Sequence, residues 1–237
     1  MRNFRDRHRH PGGPLAARRA GGAPLPYANG VALTGSAGSY IRTADRAELD
    51  FSTDIEVVMR LEVTDWTKTA AQTLVGRYFT ATNDRLWRFY VAANTGAVGL
   101  SASTDGTSAN LRTVVVTPSA AFADNVMGWL RMRLDLTNGS NSVGSVDIAD
   151  DAGNNIEPSS WTANGTNTGN TISGVHTGTA ALEIGAFNND GAERLAGVVA
   201  RCIVRSGFDG TVVADFNSEL AGPTGYTDAY GNAWAIN

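Results

Sequence analysis

Trp129-Leu130-Arg131-Met132-Arg133-Leu134-Asp135-Leu136 is the stretch whose reading decides the fold. Leu130, Met132, Leu134 and Leu136 alternate with Trp129, Arg131, Arg133 and Asp135. Side chains of a strand point to opposite faces in turn, so this period of two predicts a strand with one face on a core. Residues 54–63 repeat the logic, with Ile55, Val57, Met59, Leu61 and Val63 on one side and Asp54, Glu56, Arg60 and Glu62 on the other. A third such stretch, 195–205, places Ala196, Val198, Ala200, Cys202 and Val204 on one face. Three long amphipathic strands, far apart in sequence, need a common core. They predict an all-β protein, an antiparallel two-sheet β-sandwich.

Outward from these strands, further short strands are expected at 39–43, 73–78, 85–92, 97–102, 111–117, 143–149, 181–187, 211–216 and 233–237. Asn94-Thr95-Gly96 reads as a hairpin loop with Gly96 supplying a positive φ. Asp105-Gly106, Asn138-Gly139, residues 188–191 and residues 228–232 read as turns. Residues 119–125 suggest one helical turn, and 164–179, rich in Gly, Thr and Asn, suggest a long surface loop. No window carries a helical apolar period, so less than about a tenth of the chain should be helical.

The chain divides into residues 1–30, an extended N-terminal arm, and residues 31–237, the sandwich. The net charge of −4 conceals an asymmetry. Arg2, Arg5, Arg7, Arg9, Arg18 and Arg19 stand against one acid in the arm, giving +5 and leaving −9 for the body. Pro11, Pro14, Pro24 and Pro26, with Gly12, Gly13, Gly21 and Gly22, break any regular element in the arm's sequence, and it has too little apolar surface to offset chain entropy. A basic arm on an acidic body is the pattern of a segment that docks on another protein. It has few aromatics interleaved with the Arg and lacks Lys, which disfavours nucleic acid. One cysteine, Cys202, excludes an intramolecular disulfide and reads as a buried small hydrophobe. No apolar run has the length of a membrane span or a secretory core, so the expectation is synthesis in a cytoplasm without export through the secretory route.

The order Gly38-Ser39-Tyr40-Ile41, Leu49-Asp50-Phe51-Ser52-Thr53-Asp54-Ile55-Glu56, Thr73-Leu74-Val75-Gly76-Arg77, Gly128-Trp129-Leu130-Arg131 and Leu182-Glu183-Ile184-Gly185 resembles the concanavalin A-like lectin/glucanase superfamily, in its laminin-G-like branch. The resemblance spans roughly residues 35–216 and implies a jelly roll. With Asp65-Trp66-Thr67 and the ending from Asp209 to Asp215 it looks most like modules in the virions of tailed actinobacterial phages, a setting with which a single lysine, Lys68, agrees.

The glucanases of that superfamily place three carboxylates on one strand. Glu48 and Asp50 begin such a line, but Ser52 or Thr53 stands where the acid/base Glu belongs. A retaining hydrolase without that group has no proton donor for its leaving group, so no catalytic residue is assigned and no enzyme activity is expected. His8, His10 and His176 lie in the arm and a loop, where no scaffold positions a base. No cofactor is implied. Calcium is the ion the resemblance admits, with Asp105, Asp150, Asp151 and Asp190 as loop candidates. For a sugar, Trp66 and Trp161 in loops, with Asn188, Asn189 and Asp190, are the candidate contacts. Arg77, Arg88, Arg131 and Arg133 are expected to line an outer sheet face. Two functions follow. One is a virion structural protein, tail-associated or on the capsid surface, docked to other virion proteins or to further copies by its arm. The other is a lectin module that binds a cell-surface glycan in host adsorption.

Overall fold

The computed structural model describes residues 29–136, 141–188 and 193–237. Among them fifteen strands form two antiparallel sheets. In chain order these are β1 (Val31–Thr34), β2 (Ile41–Thr43), β3 (Ile55–Val63), β4 (Gln72–Phe79), β5 (Asp84–Val91), β6 (Val98–Gly106), β7 (Leu111–Val116) and β8 (Gly128–Asp135). There follow β9 (Val143–Ala149), β10 (Thr162–Thr168), β11 (Leu182–Ile184), β12 (Ala196–Ser206), β13 (Thr211–Asn217), β14 (Gly225–Thr227) and β15 (Ala233–Ile236). Sheet I runs β1-β12-β3-β8-β9-β10, with β13 also on β12, and sheet II runs β14-β15-β2-β11-β4-β5-β6-β7. The fold is the predicted jelly-roll sandwich. The helical content of the described residues is two 3-10 turns, Ala47–Leu49 and Ser218–Leu220. No helix of the described residues is long and apolar enough to cross a membrane.

The deciding stretch behaves as its alternation requires. Leu130, Met132, Leu134 and Leu136 are buried with Ile55, Val57, Met59 and Leu61 in one core between the sheets. Register carries the pattern across the sheet: Met59 faces Leu130, and Val57 faces Met132. In β12 the alternation fails. A bulge lies between Val199 and Arg201, so Val199, Cys202 and Val204 face the core, and Ala196 and Val198 belong to the other phase. The extra residue of a bulge resets the two-residue period.

Two loop readings are corrected. Residues 162–168 are a strand, paired with β9 through main-chain bonds. Residues 119–125 form no helix. Ser119 N–H donates to Asn164 O (2.6 Å), Ala120 N–H to Asn164 Oδ1 (2.8 Å) and Asn125 N–H to Val63 O (2.9 Å). These ties satisfy the segment's amides externally, so it needs no helical bonds. Asp105 and Gly106 close β6 itself, and the turn follows them, with Thr107 N–H on Asp105 Oδ1. The 138–139 turn and the arm through residue 28 lie outside the described residues.

The two outer faces differ. On sheet I, residues 150–161 are strapped across the strands. Arg60 holds Asp151 (2.7 Å) and Asn155 (2.8 Å), Arg205 holds Glu157 (2.5 Å), and Arg131 lies 4.7 Å over the Trp161 ring. Val58, Trp129 and Ile203 form a small apolar cluster on this face, with Trp161 packed against it. Glu56 has no exposure and is held between Arg133 (2.6 Å) and Arg205 (2.9 Å). On sheet II, Phe187 and Glu193 lie against Arg88.

Candidate functional site

Strand register builds one transverse row on the outer face of sheet II. Ala235 faces Arg42, Arg42 faces Glu183, Glu183 faces Gly76, Gly76 faces Arg88, Arg88 faces Ser101, and Ser101 faces Thr113. Beside this row, where β4 ends, a cavity of about 410 Å³ opens. Arg42 and Glu183 stand in its wall from the strands. Asp45 comes from the loop after β2, Thr82 and Asp84 from the turn into β5, and Thr179 from the segment before β11. Tyr78 and Phe79, at the end of β4, supply its aromatic side.

The wall is held from behind. Arg77 is directly opposite Leu182 and Trp87, so it points into the core and not to the outer face. Its guanidinium donates to Asp50 Oδ1 (2.6 Å), to the carbonyls of Ala180 and Gly178 (both 2.9 Å), and to Asp45. Asp84 Oδ2 accepts from Thr179 N–H (3.0 Å) and Oγ1 (3.2 Å), and its Oδ1 lies 3.7 Å from His176 Nε2. These contacts fix the 178–180 segment over the end of the sheet.

Next to the cavity, Arg88 is packed among rings. Its guanidinium lies 4.7 Å from the Tyr78 ring, 4.4 Å from Tyr90 and 5.1 Å from Phe187, and Nη1 donates to Glu193 (2.5 Å). Burial pushes the Tyr78 phenol up from its ordinary pKa, and the nearby Arg88 and Arg85 only partly offset this. Gly99 makes room for Tyr90: a Cβ there would lie 2.2 Å from the ring's Cζ. The result is a rigid aromatic and guanidinium surface beside a polar cavity.

The residues singled out in the sequence do not gather. Trp66 is buried in the core and stacks on Phe122 at 4.2 Å, against a second, mainly apolar cavity of about 280 Å³. Trp161 belongs to the strap on sheet I. Asn188 closes the end of β4: its N–H donates to Tyr78 O, and its side chain bonds Thr80 N–H and Oγ1. It is therefore near the cavity, but as a turn residue. Asn189 and Asp190 lie outside the described residues, as do all six arm arginines. The four arginines expected on one outer face occupy three places: Arg77 in the core, Arg88 on sheet II, and Arg131 and Arg133 on sheet I.

The acids are equally dispersed. Glu48 pairs with Arg46 at the surface, Asp50 serves Arg77, and Glu56 is sealed on the far sheet. Asp105 is held at a pKa of about 2, chiefly by the Asn110 amide and then by Thr107. Asp151 is lowered by the Arg60 guanidinium. Among the described residues no three His, Cys, Asp or Glu side chains are placed to hold a metal ion. What the sequence reading missed is Arg42, Tyr78, Thr82, Asp84 and Glu183 as one wall. The available signal was the outward phase of Glu183 between Leu182 and Ile184.

No family model and no curated protein matches this chain. Among solved structures, the CBM40 of the Ruminococcus gnavus IT-sialidase, bound to α2,3 sialyllactose, is 17% identical over 75% of this chain and 89% of its own, with a TM-score of 0.45. A heptameric SAP-like pentraxin from Limulus polyphemus is 11% identical over 74% of each chain, with a TM-score of 0.41. The enzymatically active domain of bacteriophage CBA120 tailspike protein 2 is 13% identical over 80% of this chain and 30% of its own, with a TM-score of 0.40. Likenesses this distant assign no ligand and no activity.

Proposed function

We propose that this chain is a non-enzymatic virion surface protein, tail-associated or on the capsid, whose arm docks it and whose sandwich presents a glycan-binding cavity on the outer face of sheet II. The observation that carries the binding reading is the cavity wall itself. Carboxylates, hydroxyls and the Arg42 guanidinium stand on its polar side, with Tyr78 and Phe79 on its aromatic side. Sugars present hydroxyls and an apolar C–H face together, and a wall that joins hydrogen-bonding groups to aromatic side chains offers a partner to each. The virion setting rests on the basic arm and on the resemblance to phage modules.

The reading includes no hydrolytic step. Ser52 or Thr53 stands where a proton donor is needed, and Asp50 is committed to Arg77. Two measurements test the proposal. A glycan array with the full chain should retain specific oligosaccharides, and an Arg42→Ala variant should lose them. Labelling of purified particles should place the protein on their surface. A chain that assembles into particles but binds no glycan would reduce the function to a structural one. Reducing sugar released from β-glucans above a boiled control would overturn the non-enzymatic part.

A further inference from the structure

We infer that the apolar groove at the end of sheet I is a docking surface for the chain's own Pro24-Leu25-Pro26-Tyr27. The groove is the cavity of about 280 Å³ beside Trp66. Of its lining, Phe122, Met127 and Ile148 are partly exposed, and Val126 is 56% exposed. Trp66 and Leu61, both buried, stand behind them. An apolar face of this kind gains free energy when a partner removes it from water. The inference is independent of the glycan reading, which concerns the other sheet.

Register chooses the occupant. Val31 faces Val199, Val199 faces Leu61, and Leu61 faces Gly128 in the groove wall, so the start of β1 and the groove share one transverse row. Three strand spacings separate them, about 14 Å. Leu25 precedes Val31 by six residues, which reach about 19 Å in polyproline II. The segment therefore spans to the groove of its own chain. Pro24 and Pro26 restrict φ to that conformation, and proline-rich segments dock in aromatic-lined grooves because little entropy is left to lose. So short a tether holds the segment at a roughly millimolar effective concentration, which favours the chain's own groove over that of a neighbouring copy.

Charge agrees with this path. Glu62, directly opposite Val198, lies between the start of β1 and the groove, and the exposed Asp150 stands in the groove wall. Neither belongs to an ion pair among the described residues. Asp124 and Asp151 also adjoin the groove. The nearby cations are Arg60, held by Asp151, and Lys68, whose ammonium lies beside Gly35. The balance is acidic, and Arg18 and Arg19 precede the apolar segment. With that segment seated, the basic end of the arm leaves the body beside Asp150, from a fixed point.

The test is disulfide trapping in the full chain with oxidised glutathione. Cys202 is buried and does not compete. Ala23→Cys is paired with Val126→Cys in the groove wall, or with Leu220→Cys as a control. Leu220 is 61% exposed and follows β13, which pairs with β12 beside β1. The groove pair should close within one chain roughly tenfold faster than the control pair, and Leu25→Ser should erase that advantage. Equal rates for the two pairs would overturn the inference. So would an advantage that survives Leu25→Ser. Covalent dimers predominating in dilute solution would assign the groove to a second copy, and overturn it too. With no cysteine introduced, Leu25→Ser alone should speed amide exchange across residues 121–128 several-fold. Unchanged exchange there would overturn the inference even if a cysteine variant failed to fold.

Discussion

Arg77 shows how much one buried residue organises here. It stands on the core face with no exposure, and its guanidinium joins two acids, Asp45 and Asp50, to the carbonyls of Gly178 and Ala180 from a segment about a hundred residues away. Removing one partner of such a cluster strands the others, so Arg77→Ala should cost about 3–5 kcal/mol, read as a lower urea midpoint. Arg77→Lys should recover little, because an ammonium cannot reproduce the planar fork. At Gly99 the expectation is milder. An Ala Cβ would displace the Tyr90 ring, 2.2 Å away, and overpacking of this kind costs about 1–3 kcal/mol. A shifted Tyr90 ring resonance would mark the displacement, and an unchanged one would show that the backbone had moved instead. At this scale the sequence was only partly legible. Alternation placed Glu56 outward, and it is outward, yet the strap and two arginines leave it no exposure.

Among the elements, the strap over sheet I has a built-in acid sensitivity. Asp151 is held below its ordinary pKa by its bonds to Arg60. A carboxyl whose folded pKa is depressed contributes stability above its unfolded pKa, near 4, and loses it as pH falls through the folded value. Amide exchange in residues 150–161 should therefore rise below about pH 4, before the sheets exchange. The C-terminal hairpin guards an edge. The Tyr226 hydroxyl accepts from Asn217 N–H and donates to Asp215 O (2.8 Å), while Asp228 Oδ2 accepts from Asp215 N–H (2.9 Å). These side chains occupy the free edge of β13, which would otherwise be a template for another strand. Tyr226→Phe should cost about 1–2 kcal/mol and raise self-association, measurable by light scattering. The missed strand β10 belongs to the same scale. Thr-Ala-Asn-Gly-Thr-Asn-Thr has no apolar alternation, and an edge strand held by main-chain bonds to β9 needs none.

For the whole molecule, the division of charge is the feature to test. Residues 1–30 carry +5 and the remainder −9. Under the proposed function, residues 31–237 expressed alone should be a folded monomer that no longer joins the particle. Incorporation at normal levels would assign docking to the sandwich instead. If exposed Arg contacts dominate docking, association of the full chain should weaken as salt rises.

The sequence by itself determined that this is a two-sheet antiparallel sandwich and which side of its longest strands meets the core. Alternation is a local property: successive side chains point to opposite faces wherever a strand lies, so Leu130 to Leu136 declare their phase without reference to neighbours. Only the tertiary structure decided which strands adjoin, what lies on each outer face, and where the cavity opens. Arg42, the pair Tyr78 and Asp84, and Glu183 come from three segments far apart in sequence, and their meeting depends on the order β2-β11-β4-β5. That order is set by long-range packing and by backbone hydrogen bonds that carry no signature in the side chains. The same physics explains the tryptophans. Trp66 and Trp161 sit in loops, as read, but a loop that folds back onto a core or a sheet buries its aromatic ring, because burial removes a large apolar surface from water.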